Sequence, residues 1–167
     1  MSPPASCVIS LVLLHLCTGY NLYVSRLPLV LPTSQLFSSA AAHDGSVFLG
    51  TSVGLFYIPP GSIPAQSDNV TTLTPQQVVP TITGPVKNVW WDETLQLLFF
   101  PFNNQVYAFN KTSQAAQLIA GAGGPGVVGG DGGPALAATF QHTAAVASDG
   151  HHRVLYILDG GARIRWV

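Results

Sequence analysis

The chain has 167 residues, a formal net charge of −1, and only 8% charged residues against 47% hydrophobic ones. So little charge and so much apolar side chain exclude intrinsic disorder, which needs the opposite balance. Six Lys plus Arg in the whole chain cannot build a basic face that tracks phosphates, so nucleic-acid binding is excluded as well.

The first element is the apolar run "CVISLVLLHLC", from Cys7 to Cys17. It has the length of a signal-peptide core and about half of the ~20 residues that a membrane span requires. Cys17 and Gly19 place small residues for cleavage before Tyr20. The preceding "MSPPAS" carries no Lys or Arg, and the competing reading of the same run is a buried first strand. The expectation is therefore a signal peptide over 1–19, a lead-in over 20–35, and no membrane span within the chain. Both cysteines fall inside the signal, so the mature chain is expected to have no disulfide and no thiolate nucleophile or zinc-thiolate site. Its stability must come from a large core or from further chain. Two sequons, Asn69-Val70-Thr71 and Asn110-Lys111-Thr112, are consistent with secretion or display on the extracellular face of the cell surface, and are the expected glycosylation sites.

After the signal, short β-rich runs recur between Gly, Asn, Asp and Pro, with no long helical period. The expected strands are "SVFLGT", "GLFYIP", "VKNVWWD", "LQLLFFPF", "QVYAFN", "AAQLIAG", "AAVASD", "RVLYILD" and "ARIRWV". Between the second and third lies a Pro-, Ser- and Thr-rich stretch that reads as a long loop with room for one strand. Three segments align on an aspartate in a turn, namely Asp44, Asp92 and Asp149. Each has an apolar strand before the aspartate, an aromatic-rich strand after it, a polar turn, and a third strand. This is a repeat of propeller-blade length, and blades bury one another's apolar faces when stacked. The three aspartates read as turn formers that bond nearby amides. Asn103-Asn104 and Gly160-Gly161 suit two-residue hairpins with positive φ.

The stretch "IAGAGGPGVVGGDGGPALAATF", Ile119 to Phe140, contains a G-x-G-x-x-G match. A dinucleotide loop needs a helix directly after the glycines, and "GVVGGDGGP" is too rich in Gly and Pro to supply one. A triphosphate loop lacks its Gly-Lys-Ser/Thr, and a calcium β-roll lacks tandem repeats. A flexible linker is the remaining bland reading, although "PALAATF" offers a short helical turn that Pro134 is suited to start.

Ile119-Ala120-Gly121, Gly130-Asp131-Gly132-Gly133-Pro134-Ala135, Phe140, Val146-Ala147, Asp149, Tyr156-Ile157, Asp159 and Arg163-Ile164-Arg165 together resemble the NHL-repeat β-propeller family. The resemblance is strong over 119–167 and weaker upstream. It implies an all-β fold, an NHL-type β-propeller of about three blades of antiparallel strands, near 36–73, 85–121 and 139–167. It also implies that the Gly-Asp-Gly-Gly-Pro-Ala segment joins the outer strand of one blade to the inner strand of the next. On that basis Gly130, Asp131, Gly132, Gly133, Pro134, Asp149, Asp159 and Arg163 are structural motif residues. Thr143-Ala144-Ala145 departs from the family's Pro-x-Gly, and about three blades fall short of the 4–8 that close a ring. The resemblance therefore implies missing C-terminal blades or self-association.

His43, His142 and the pair His151-His152 do not have metal-ligand spacing, since adjacent residues of a strand point to opposite faces. No nucleophile-base set is identifiable by spacing, and Glu93 is the sole glutamate. No catalytic, cofactor or metal residue is therefore assigned, and no cofactor is expected. Trp90-Trp91 divides into one core ring and one exposed ring that can anchor a ligand. The balance favours a secreted binding or protein-interaction module with a protein or glycan ligand. The alternative is a lactonase- or lyase-like propeller hydrolase with a central metal, which some NHL-like propellers resemble.

Overall fold

The computed structural model describes residues 6–16, 22–32, 35–63, 73–124, 128–151, 153–160 and 163–167. Thirteen strands lie among them, together with one turn of 3-10 helix at Ala135–Ala137. The antiparallel pair β1 (Ser6–Leu16) and β2 (Leu22–Pro32) comes first. Where a signal peptide is expected, Ser6–Leu16 is thus drawn as a strand, and the expected cleavage point at Gly19/Tyr20 lies outside the described residues.

Three antiparallel meanders follow. The first sheet holds β3 (Leu36–Ala41), β4 (Val47–Thr51), β5 (Gly54–Ile58) and β6 (Gln76–Gln77), and the second holds β7 (Trp90–Asp92), β8 (Leu97–Phe102), β9 (Gln105–Asn110) and β10 (Ala115–Ala120). The third holds β11 (Thr143–Ser148), β12 (Leu155–Asp159) and β13 (Arg163–Trp166). Every strand pairs with its sequence neighbour within the sheet. "VKNVWWD" contributes only its last three residues, and β3 is the apolar strand expected before Asp44, begun already at Leu36. The fourth strand of the first sheet falls in the long Pro/Ser/Thr-rich loop, where Gln76 and Gln77 pair with Tyr57 and Phe56.

Continuous apolar runs such as "VFLGT" and "LLFFPF" arise because the middle strands are buried on both faces, as the pleat requires of an interior sheet. Phe48 points into a layer shared with Trp91, Leu98, Phe100 and Phe109, while its neighbours Val47 and Leu49 point the other way. Phe99, Val106 and Ala108, on the far side of the second sheet, meet Phe140, Val146, Leu155 and Ile157 of the third unit. Three apolar layers result: β2 on the first sheet, the first sheet on the second, and the second on the third. Leu29 and Leu31 of β2, both fully buried, cover Val47, Leu49, Phe56 and Ile58.

Turn chemistry sets the register. Asn103 and Asn104 take φ of 50° and 59°, as the two-residue β8–β9 hairpin needs. Gly50 is required for a different reason: a Cβ there would collide with the Val86 carbonyl oxygen, where the connector crosses β4 and the Val86 N–H donates to Thr51 O at 2.9 Å.

Candidate binding surfaces of the sheet array

In an antiparallel meander, the turns after the first and third strands lie at one end and all other connections at the opposite end. The first end gathers the three repeated aspartate turns. The Asp44 carboxylate accepts from the Ser46 N–H at 3.0 Å, and Asp92 accepts from the Thr94 and Leu95 N–H groups, both at 2.9 Å. Asp149 accepts from the Val154 N–H at 3.4 Å.

Their other contacts cross between sheets. Lys111, in the β9–β10 turn, pairs with Asp44 and sits 5.2 Å from the centre of the Trp91 ring. That ammonium, and next the Ser46 hydroxyl, hold the Asp44 carboxyl down at about 2, against an ordinary 3.8. Glu93 Oε2 accepts from the His43 N–H at 3.0 Å and from the Trp91 indole at 2.6 Å. Those two donors, the His43 amide first, hold its pKa below the usual carboxylate value. The half-exposed Trp90 donates its indole N–H to Ser148 Oγ at 2.9 Å, and the Ser148 hydroxyl donates to the buried Asp92. The Val146 N–H donates to Asn88 Oδ1 at 2.9 Å, and the Val89 N–H to Ser38 Oγ at 3.2 Å. The polar groups of this end therefore serve to lock one sheet to the next. Among the described residues no three His, Cys, Asp or Glu side chains converge on a metal-sized space.

The glycine-rich connector lies at the opposite end. It folds back on itself: Gly129 and Thr139 exchange backbone hydrogen bonds at 3.3 and 3.1 Å, and Gly121 N–H donates to Ala135 O at 3.0 Å. Gly130 takes φ +87°, and a Cβ on it would lie 2.8 Å from the Ala138 Cα. This position is therefore closed to other residues for two reasons. The connector is clamped by Arg165, whose Nε and Nη2 lie 2.8 and 2.7 Å from Asp131 Oδ1. Its Nη1 donates to Thr139 O and its Nη2 to Gly129 O, each at 2.8 Å, and the guanidinium lies 4.7 Å over the Phe140 ring. Asp159 accepts from the Gln141 and His142 N–H groups through Oδ1 and faces Arg165 at 3.6 Å through the buried Oδ2.

The motif residues thus divide. Gly130, Asp131 and Asp159 gather around Arg165, with Gly132, Gly133 and Pro134 in the same connector. Asp149 sits at the far end, and Arg163 points to solvent. Of the two arginines of the motif, Arg165 is the one that contacts the connector. Strand alternation was the available signal, because Arg165 shares a face with Ile157, which packs against the second sheet. Asn110 lies in the β9–β10 turn, where its Oδ1 accepts from Thr112 and Ser113 at 2.9 and 3.0 Å. Asn69 lies outside the described residues.

Beside the connector, a cleft of about 850 Å³ opens between Gly130–Gly133, Phe140 and the outer edge of β13. Next to it stand Ile164, 69% exposed, and Trp166, 72% exposed.

No family model matches this sequence, and no curated protein matches it. Among solved structures, the chain is similar to one in a crystal structure of a nidogen/laminin complex, with a TM-score of 0.60 and 9% identity. The match covers 96% of this chain and 58% of that one, so the present chain spans little more than half of its neighbour's length. A likeness at this identity speaks for fold alone. Together with the three stacked antiparallel sheets, it makes the fold an incomplete β-propeller. No helix among the described residues is long and apolar enough to cross a membrane.

Proposed function

We propose that this chain is a protein-binding β-propeller module on the secretory route, built on NHL-type repeats. One observation carries the binding reading: the carboxylates at the turn end are committed to turns and sheet-to-sheet bonds, while large side chains face solvent. Trp90 is 41% exposed, Tyr156 43%, Ile164 69% and Trp166 72%. Exposed aromatic and aliphatic groups on a rigid scaffold are the anchors from which protein interfaces are made. The similar chain comes from a protein–protein complex, which supports the same class of function here. The apolar run from Cys7 to Cys17 and the sequons at Asn69 and Asn110 support secretion and glycosylation.

The test has two arms. Expressed in a secretory host, the chain is expected in the medium, starting near Tyr20 and shifting in gel mobility on glycosidase treatment. Retention in the cell with Met1 intact rejects the secretory route. Solid-phase binding against a panel of extracellular proteins is expected to find a partner that loses affinity for the Trp166→Ala variant or the Trp90→Ala variant. A panel with no binder, or a binder indifferent to both variants, rejects the module.

A further inference from the structure

The turn end holds two adjacent tryptophans with opposite surroundings. Trp91 is buried and stacks on Phe48, and the Lys111 ammonium lies 5.2 Å from its ring centre, paired with Asp44. Trp90, its neighbour on β7, turns to the third sheet and is 41% exposed. Its ring is held from both sheets. The indole N–H donates to Ser148 Oγ, that hydroxyl donates to Asp92, and the Thr94 and Leu95 amides hold Asp92 in turn. The part of the ring that meets solvent is therefore a preset surface, with little freedom left to lose on binding.

Beside that ring lies a hollow of about 230 Å³, the size of one long side chain, between β7, the end of β11 and the turns that follow them. Asp92, Glu93 and Asp149 line it, together with Ser148 and His151. The donors to Asp92 and Glu93 are amides, a hydroxyl, an indole and a carboxamide. All are neutral, so they leave both negative charges in place. Among the described residues no lysine or arginine lines the hollow. Lys111 is paired with Asp44, and Arg153 is exposed in the β11–β12 turn, outside the lining. An indole face beside carboxylates attracts a cation through the ring and through charge alike. Lys111 on Trp91 and Asp44 is the same pairing made within the chain.

We propose that the hollow beside Trp90 is a docking site for a basic side chain, arginine or lysine, presented by a partner protein. The side chain lays its cation over the exposed indole face, with its charge toward the carboxylates of the two turns. The ring supplies a fixed platform, and the surrounding negative charge selects a cation over a neutral or acidic group. This deepens the protein-binding reading, on which it rests, by naming the chemistry of the partner.

The test uses the full chain and a Gly-Arg-Gly peptide blocked at both ends. Binding is read by NMR from the Trp90 indole N–H, identified by its loss in Trp90→Phe, and from the Gly150 amide in the lining. Both signals are expected to move saturably with the arginine peptide. Neither should move with the citrulline peptide, which has the same shape without the charge, nor with a glutamate peptide. Trp90→Leu, followed at Gly150, should weaken the arginine peptide about two- to fivefold, the range of a cation over an exposed ring. An unchanged melting profile shows that this variant folds, and the citrulline comparison on the wild type stays decisive if it does not. Signals that stay still, that move equally with citrulline, or that titrate alike in Trp90→Leu overturn the site. A partner from the extracellular panel that depends on Trp166 and not on Trp90 leaves protein binding standing and overturns the site as well.

Discussion

The outer face of the first sheet and the outer face of the third present the same kind of surface, and only one is covered. On the first, Val47, Leu49, Phe56 and Ile58 are sealed by Leu29 and Leu31 from β2. On the third, Tyr156, Ile164 and Trp166 stand open. A sheet that is apolar on both faces needs a cover, and the cover need not be another sheet: Leu29 and Leu31 of one strand, with Leu36, Val53, Ile63 and Leu73 packed beside them, close the layer.

The largest expected effect concerns the side of the third sheet that is covered. Arg165→Ala leaves the buried Asp159 carboxylate and the Gly129 and Thr139 carbonyls without their cation. It should cost about 3–5 kcal/mol in urea unfolding, as removal of one partner of a buried pair does. Arg163→Ala should stay within about 0.5 kcal/mol of wild type. Equal effects would remove the distinction between the two arginines.

The comparison of flanks is broken more gently at the leucines. Leu31→Ala should cost about 2–5 kcal/mol as a core truncation, whereas Ile164→Ala should change stability by no more than about 0.5 kcal/mol. A neutral Leu31→Ala would show that β2 does not seal the first sheet.

The smallest effect lies at the sheet junction. The Asp44 carboxyl is depressed to about 2 from 3.8, so the contribution of its pair with Lys111 is complete above 3.8 and is lost as pH falls toward 2. Lys111→Met should lower stability at neutral pH by at most ~1 kcal/mol, the range of an exposed pair. The difference from wild type should vanish across that acidic window, which urea titrations at stepped pH will show. A gap that persists at pH 2 would assign the loss to packing over Trp91 instead.

Much of this architecture was legible in the residues. The hairpin at Asn103-Asn104 and the strands from Val47 to Trp166 follow from turn chemistry and apolar runs, because those signals are local. The strand expected before Asp44 was legible only at its Ala40–Ala41 end, because "LFSSAA" alternates weakly and carries small residues. The Gln76–Gln77 strand is set by its partner β5, not by its own propensity. The Arg165 clamp was hidden for another reason: its partners Asp131, Thr139 and Gly129 are brought to it only when the connector folds back. The same holds for Ser148 and Asp92, separated by 56 residues, which meet only when the second and third sheets stack.

The meander order carries a kinetic consequence. Since each strand pairs with its neighbour in sequence, the second and third sheets close over short loops, which is the fast regime of folding, and only β6 joins its sheet across a long one. The bonds that join sheets span longer distances, 58 residues from Trp90 to Ser148 and 67 from Asp44 to Lys111. A ribosome delivering this chain from its N-terminus supplies each sheet before the next one is complete. Assembly therefore proceeds as growth from a finished surface, with the face of each new sheet templated by the one already made.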